Sequence, residues 1–379
     1  MTGREKILRA FEPDGTPEIG VVTCADEIFI RDHWFSLTET PWWYAYSGLV
    51  EKDVAWARDV VEKSGLEWFT VQPCPSRAER LRQAYEQRED GVWLVNTETG
   101  EEACLSAPTP GGTNTICASS THSCLDSLPA TQKDVDVLVP FEEPFNRKLF
   151  LEEGRHDSAS AIRRALDLFV YAHVLSPLWS LYYLLGYEGM MVFLLQDSNL
   201  ASYAGKRILE NVKQRIRMIS ALGADAVWIE ECLTDQISPE LFRNLNVPLV
   251  RECVQEIRSQ GMKSIYYYCG DLNDRLDAVL DVGADAVHFE ESKKGFTIDI
   301  TDVVSRVDGR CVVYGNIDAI GVLEAGSEDK IRSEAKRQLD AGRSNGNRFV
   351  ISTGSPITPG TPVDKVRLYT DIVRELGKE

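Results

Sequence analysis

Five clusters of polar residues in this sequence each follow directly on an apolar run: Glu230-Glu231, Cys269-Gly270-Asp271, His288 with Glu290-Glu291, Gly315-Asn316-Ile317-Asp318, and Ser352-Thr353-Gly354-Ser355. These residue types serve proton transfer, metal ligation and hydrogen-bonded substrate binding. Carboxylate and imidazole act as general acids or bases, and together with cysteine they are zinc donors. None of the clusters is specific alone. His288 by itself is also what a hydrogen-bonded interior histidine looks like. The chemistry depends on whether one fold brings the clusters to one place.

The apolar runs before them read as strands: Leu168–Val174, Gly223–Glu231, Ser264–Cys269, Gly283–Glu291, Cys311–Tyr314 and Phe349–Thr353. Between them lie helical periodicities at Leu178–Leu185, Ala201–Leu222, Leu241–Gly261, Leu272–Val282, Glu328–Gly342 and Val363–Leu376. Strands alternating with amphipathic helices mean parallel βαβ units. The segments GADAVWIEE, from Gly223, and GADAVHFEE, from Gly283, echo each other two such units apart. The echo fits a closed barrel better than an open sheet, although a generic helix-to-strand turn would give it too. The N-terminal half is less regular. It offers helices at Thr2–Phe11 and Val50–Ser64, strands at Ile19–Thr23 and Leu66–Val71, and a hairpin of Val92–Val95 with Glu102–Leu105. Pro108–Ser127 is rich in Gly, Thr, Ser and Pro; within it Gly111, Gly112 and Asn114 read as a structural turn or a substrate-covering loop. The fold class expected is α/β: a single (β/α)8 (TIM-type) barrel spanning residues 1–379, with an N-terminal helical and hairpin elaboration. Residues near 21, 70, 170, 228, 267, 288, 313 and 351 should lie on successive strands.

Catalytic groups of such barrels sit at the C-terminal strand ends, and side chains along a strand alternate between interior and helix layer. His288 and Glu290 share a parity with Ala286, whereas Val287 and Phe289 share the other. A histidine and a carboxylate are poor company for apolar helices, so this set should face inward, and with it Ala226, Trp228 and Glu230. In Ser264–Cys269 polarity does not choose between Tyr267 with Cys269 and Tyr266 with Tyr268. The expectation is that Glu230, Cys269, His288 and Glu290 surround one cavity, with Tyr267 on its wall. Ser352–Pro362 has the small residues of a phosphate loop, but its prolines remove backbone donors and it holds no Lys or Arg. The aromatic run Trp42 to Tyr46 reads as packing or as pocket lining.

The chain has 379 residues and a net charge of −18, with 59 acidic against 41 basic residues. So negative a surface repels nucleic-acid backbones and anionic membranes, which argues against both as partners. No run reaches the roughly 18 uncharged apolar residues of a membrane span; Leu166–Leu195 is interrupted by Asp167, His173, Pro177, Gly186 and Glu188. The opening Met1–Lys6 is charged and lacks the apolar core of a signal peptide. The nine cysteines include no CxxC pair and read as reduced thiols. A cytoplasmic enzyme with a small substrate is the expectation.

The motifs SPELF (Ser238–Phe242), IYYYCGD (Ile265–Asp271), GADAVHFEE, YGNID (Tyr314–Asp318) and STGSPITPGTP (Ser352–Pro362) resemble those of the uroporphyrinogen decarboxylase superfamily. Thr2–Leu8 and the turn Leu185-Gly186-Tyr187-Glu188 fit as well. The resemblance covers most of residues 1–20 and 165–379 and is weak between 25 and 160. Its decarboxylases carry an Arg-rich segment after the first strand that grips the carboxylates of a tetrapyrrole. Here the segment reads VVTCADEIFI, with Cys24, Asp26 and Glu27, which would repel them. The other branch exchanges methyl groups between a corrinoid protein and a thiol, amine or methoxy compound. Its thiol-activating members hold zinc through H-x-C-G and a later Cys. The matching positions are Tyr267-Tyr268-Cys269-Gly270 and Ser355, so Cys269 alone remains as a metal ligand. A different zinc set of Cys269, Glu290, His288 and Glu230 is chemically open.

The resemblance thus implies an O-demethylase-type methyltransferase. It would pass a methyl group from a small methoxylated or methylated donor to cobalt(I) on a separate corrinoid-binding protein. Glu230, Glu290, His288 or Tyr267 would assist the leaving heteroatom, Trp228 and Tyr266 to Tyr268 would form an aromatic wall, and Asn316, Asp318 and Ser355 would bind substrate. The alternatives are a uroporphyrinogen decarboxylase-type lyase and a barrel that binds a small molecule without turning it over.

Overall fold

The chain alternates strand and helix until eight parallel strands curl into a barrel. A computed structural model describes residues 1–45, 47–111, 128–293 and 295–377. Tyr46, Gly112 and Asn114 lie outside them. In chain order the strands are β1 (Gly20–Val21), β2 (Trp68–Thr70), β3 (Gln83–Arg88), β4 (Gly91–Asn96), β5 (Glu102–Leu105), β6 (Phe169–Leu175), β7 (Ala226–Cys232), β8 (Lys263–Cys269), β9 (Ala286–Phe289), β10 (Val312–Tyr314) and β11 (Phe349–Ile351). The barrel order is β1-β11-β10-β9-β8-β7-β6-β2, and each pairing is parallel. Residues 21, 70, 170, 228, 267, 288, 313 and 351 fall on these eight strands as expected.

Glu67 closes the seam between β1 and β2. Its backbone N–H donates to the Val21 carbonyl (3.1 Å), and its Oε2 accepts from the Val21 N–H (2.9 Å). The buried Lys6 ammonium neutralises it at 3.0 Å. Helix Gly3–Ala10, held by a Thr2–Glu5 capping box, supplies Ile7 and Ala10 to the apolar cluster inside the barrel, and its C-cap Phe11 joins them.

The GAD echo has a structural cause. Gly223 and Gly283 adopt left-handed backbone (φ 82° and 76°) where helix gives way to strand, a conformation cheap only for glycine. The aspartate two residues on ties its strand to the one before: Asp225 Oδ2 accepts from Val170 N–H (3.1 Å), and Asp285 Oδ2 from Ser264 N–H (2.8 Å).

The sheet β3-β4-β5 is antiparallel and sits apart from the barrel sheet. Its β4–β5 hairpin was expected. Strand β3 was not, because QAYEQR has no apolar alternation and is half solvent-facing. Helix Pro177–Gln196 is long and apolar enough to cross a membrane by length and composition. It breaks at Gly186 (φ 70°, ψ 176°), and it buries Leu178, Leu181, Leu185, Met190 and Phe193 in the core.

Candidate active site

The parity argument resolves at β8. Tyr267 lies in the interior cluster with Trp228, Ala226 and Ala286, whereas Tyr266 and Tyr268 pack in the helix layer. The expectation that Tyr266 belongs to a substrate wall is therefore corrected. Its hydroxyl points outward, donating to Glu231 Oε2 (3.1 Å) beside the Asn246 amide. Glu231 stays with it on the outer side, its carboxyl pushed up to about 7 by burial.

Inside, aromatic rings fill the barrel. Trp68 stacks on Tyr171 at 4.2 Å, Trp228 on Tyr267 at 4.6 Å, and His288 packs between Tyr267 (4.9 Å) and Tyr314 (5.6 Å). His288 is fully buried and both ring nitrogens are occupied. Trp228 Nε1–H donates to Nδ1 (3.3 Å), and Nε2–H donates to the Thr353 carbonyl (3.0 Å). Burial drops its pKa to about 4. The imidazole is thus a neutral strut with no nitrogen free for substrate or metal, contrary to the catalytic role expected. Tyr267 faces inward as anticipated, but its hydroxyl donates to the Gly354 carbonyl (2.9 Å) and fixes the β11 loop.

Polar groups crown this aromatic stack at the strand ends. His173, on the inward parity of β6, has Nε2 3.0 Å from Glu230 Oε2, and its ring packs on Trp228 at 4.9 Å. Burial opposes the imidazolium, but the Glu230 hydrogen bond and the charges of Glu230 and Glu27 outweigh it and raise the His173 pKa. Glu230 responds reciprocally: burial would raise its carboxyl, yet the His173 contact brings it below the usual value. Both shifts favour the charged forms, an imidazolium facing a carboxylate. Beside them Asp26 accepts from the Tyr171 hydroxyl (2.6 Å) and the Thr70 N–H (3.1 Å). Burial, with Glu27 adding repulsion, pushes Asp26 up to about 8. Burial likewise raises Glu27.

On the opposite wall the Lys293 ammonium bridges Glu290 Oε1 (2.5 Å) and the Ser355 hydroxyl (2.6 Å). Gly354 lies against the Glu290–Glu291 backbone so closely that a Cβ would sit 2.3 Å from Glu291 N. Asn316 is buried near this wall, but its amide donates to the carbonyls of Glu290 and Ile298 (both 3.1 Å), leaving it no donor for substrate. Asp318 caps the turn after β10, accepting from Ile320 N–H (2.9 Å) and Gly321 N–H (2.8 Å). In the structure both side chains are engaged with backbone groups at the turn.

Cys269 pairs in register with Cys232 across β7 and β8, and the Cys232 thiol also donates to Glu230 Oε1 (3.5 Å). The Cys269 contact and then burial hold the Cys232 thiol well above its usual pKa. Among the described residues, no three His, Cys, Asp or Glu side chains are disposed to hold a metal ion. The zinc set of Cys269, Glu290, His288 and Glu230 does not fit, since His288 has no free nitrogen, Glu290 is tied to Lys293 and Glu230 to His173. All seven described cysteines are free thiols.

A cavity of about 810 Å³ opens beside the crown, between β2, β6 and the surrounding helices. Glu27, Thr70 and His173 line it where it meets the barrel, and Trp34, Trp56, Phe69, Val71 and Met218 give it an apolar wall. Its arginines already have acid partners: Arg31 with Asp32, Arg155 with Glu79 and Glu153, and Arg215 with Glu142. The residues that the sequence reading missed are His173 and Lys293, together with Asp26 and Glu27 as members of the site. His173 did carry a signal: it shares parity with Phe169 and Tyr171 and ends an apolar strand just before the Ser176 helix cap.

The uroporphyrinogen decarboxylase (URO-D) family model matches residues 126–376. Uroporphyrinogen decarboxylases of Chlorobium phaeobacteroides and Xanthomonas campestris are 25% and 29% identical to it, over 48% and 42% of this chain and 50% and 45% of their own. The chain thus matches about half the length of these curated relatives. A methyltransferase from Methanosarcina mazei has the same fold, with a TM-score of 0.65, 99% of both chains covered and 19% identity. With two thirds of its length matched by the family model, the chain belongs to the uroporphyrinogen decarboxylase family.

Proposed function

We propose that this protein is a methyltransferase that moves a methyl group from a small methoxylated or methylated donor to a corrinoid protein, in the manner of an O-demethylase. The observation that carries this reading is His173, hydrogen-bonded to Glu230 and lining the inner end of an aromatic-walled cavity of about 810 Å³, a volume suited to a small aromatic ligand. Breaking a C–O or C–N bond leaves an electron pair on the heteroatom, and a general acid there makes it a better leaving group. His173 supplies that proton. Glu230 keeps the ring charged and oriented, and Trp228 supports its face. The reduced corrinoid, carried by the partner protein, supplies the nucleophile and takes the methyl group. The apolar wall of Trp34, Trp56 and Phe69 holds the rest of the donor and limits competing water.

The same cavity speaks against uroporphyrinogen. The cavity arginines are already paired with acids, so a substrate with many carboxylates finds no guanidinium clamp. The test mixes the enzyme, a cobalt(I) corrinoid protein and a panel of methoxyaromatics and methylamines, and follows methylcobalt absorbance. Methylcobalt formation with one donor class is the expected result. No methylcobalt with any donor would leave a binding protein as the better reading, and carbon dioxide release from uroporphyrinogen would establish the lyase.

A further inference from the structure

A second pocket lies at the opposite, N-terminal rim of the barrel. Lys263 opens β8, Asp285 precedes β9, Arg310 and Cys311 precede β10, and Arg348 precedes β11. With Arg258 from helix Val247–Ser259 they line a cavity of about 230 Å³, together with the apolar Phe11, Leu280 and Val287. Strand order makes these four strand starts neighbours, which is why residues far apart in sequence share one hollow.

The charge in it does not balance. At the equivalent turn before β7, Asp225 is met by Arg4 (2.8 Å) and Arg163 (2.9 Å), with no further cation in either contact set. Before β9, Asp285 takes Arg258 alone at 3.1 Å and otherwise accepts from Ser264. Lys263, Arg310 and Arg348 have no carboxylate partner among the described residues. The Lys263 ammonium lies over the Phe11 ring at 5.5 Å. Arg310 donates only to the carbonyls of Val307 (3.0 Å) and Arg306 (2.5 Å). Arg348 donates to the Gly309 carbonyl, and its Nε is buried with no acceptor. Burial pushes the Cys311 thiol up to about 12, so it cancels none of this charge. In a chain with 59 acidic residues against 41 basic, carboxylates are plentiful, yet the pocket's one carboxylate, Asp285, pairs with Arg258, and Lys263, Arg310 and Arg348 are left without one among the described residues.

We propose that this pocket binds a phosphate-type oxyanion, either inorganic phosphate or the phosphate of a small monoester. Guanidinium forks match tetrahedral oxyanions in a bidentate way, and the lone buried Nε–H of Arg348 is a donor that such an oxygen would satisfy. The cavity is several times the roughly 30 Å³ share of a liquid water, so it admits a phosphate with a few carbons over the apolar wall. An anion would also relieve the mutual repulsion of Lys263, Arg310 and Arg348. The site stands at the far ends of the strands from the catalytic crown and does not depend on the reading of the crown.

The experiment titrates the full chain separately with inorganic phosphate, sulfate and glycerol phosphate, by calorimetry and by melting temperature, with sodium chloride at matched ionic strength as control. Saturable binding and a saturating rise in melting temperature with phosphate are expected, at least tenfold weaker in Lys263→Gln/Arg310→Gln and unchanged in Glu230→Gln. Tighter binding of glycerol phosphate than of phosphate would identify a monoester as the ligand. Lys263→Gln alone, whose ammonium lies over the Phe11 ring and has no carboxylate partner among the described residues, covers the event that the double variant folds poorly. A response that chloride reproduces, or that survives in Lys263→Gln and in the double variant, overturns the proposal. So does saturable binding of polyglutamate without any of phosphate, which would make the pocket a docking point for an acidic polypeptide.

Discussion

The imidazole of His173, at the end of β6, and the carboxylate of Glu230, at the end of β7, meet at 3.0 Å on the rim of the barrel. The contact sets both protonation states: it raises His173 against the pull of burial and lowers Glu230 against the same pull. The sign of the linkage follows. The His173 contribution to stability is full below its ordinary value of 6.5 and is lost as pH rises through the raised folded value. The Glu230 contribution is full above its ordinary 4.5 and is lost as pH falls through the lowered one. The pair stabilises most between these two limits.

Activity should follow the charged state of this pair. His173→Gln is expected to lower kcat by roughly 10²–10⁴, the usual worth of a general acid, with KM for the donor little changed. Glu230→Gln removes the main group that raises His173, so the alkaline limb of the pH–rate profile should move to lower pH. Methylcobalt formation measured from pH 5 to 9 checks both. An unmoved alkaline limb in Glu230→Gln would assign the titration to another group.

His288 should report on stability instead of turnover. Its folded pKa of about 4 against 6.5 for the ordinary residue means that the unfolded chain binds a proton the native state refuses. Native stability attributable to His288 is therefore present above 6.5 and declines as pH falls from 6.5 towards 4, by up to about 3 kcal/mol. Urea denaturation of the wild type and of His288→Gln at pH 7 and pH 4.5 measures this as the difference between the two chains. The variant should be less stable at pH 7, because Trp228 and Thr353 lose a shaped partner, but its stability should fall less between the two pH values. Turnover per folded molecule should remain within a few-fold of the wild type.

The β7–β11 half of the barrel was legible because its strands are apolar runs of four to seven residues or short βα repeats with polar ends, and because parity is unforgiving in a barrel. His288 and Glu290 on one parity and Val287 with Phe289 on the other left a single orientation for β9. At β8 tyrosines occupy both parities, and a tyrosine is at home against a helix or in a barrel, so only the folded structure separates Tyr266 from Tyr267. The acids beside the seam escaped notice for another reason. β1 is two residues long and β2 three, and the helix Asp26–Leu37 after β1 starts from a left-handed Ala25 without a side-chain cap. Asp26 and Glu27 were visible as acids but not as neighbours of Tyr171 and His173, which lie about 145 positions further on. Asn316 and Asp318 show that a polar strand end has a second use, which sequence alone does not separate from binding: both satisfy backbone groups at the turn.

Gly354 offers a steric test of the crown. Its backbone lies in the ordinary region, yet an added Cβ would stand 2.3 Å from Glu291 N and 2.7 Å from Glu290 C. Backbone cannot yield there without moving the Tyr267–Gly354 hydrogen bond. Gly354→Ala is expected to cost about 1–3 kcal/mol in urea denaturation, the usual range for overpacking, and to lower activity by shifting Ser355 and Lys293. Full stability in this variant would show that the β11 loop adapts freely.

Cys269 decides the question of metal. Zinc sites need ligands that converge and can be deprotonated. Cys269 has Cys232 beside it, but that thiol is held protonated by its neighbour and by burial. The nearest acids are already matched, Glu230 with His173 and Glu290 with Lys293, and the imidazole of His288 is occupied on both sides. Recruiting zinc would mean breaking at least two of these pairs. We therefore expect protein purified without chelators to carry less than stoichiometric zinc, and Cys269→Ser to keep turnover within about twofold, the effect of a near-isosteric change away from the reacting atoms. In the same assay His173→Gln should lose most activity with the metal content unchanged. Stoichiometric zinc that falls together with activity in Cys269→Ser would overturn this expectation and make Cys269 a thiolate ligand, with its partners drawn from groups that rearrange on binding.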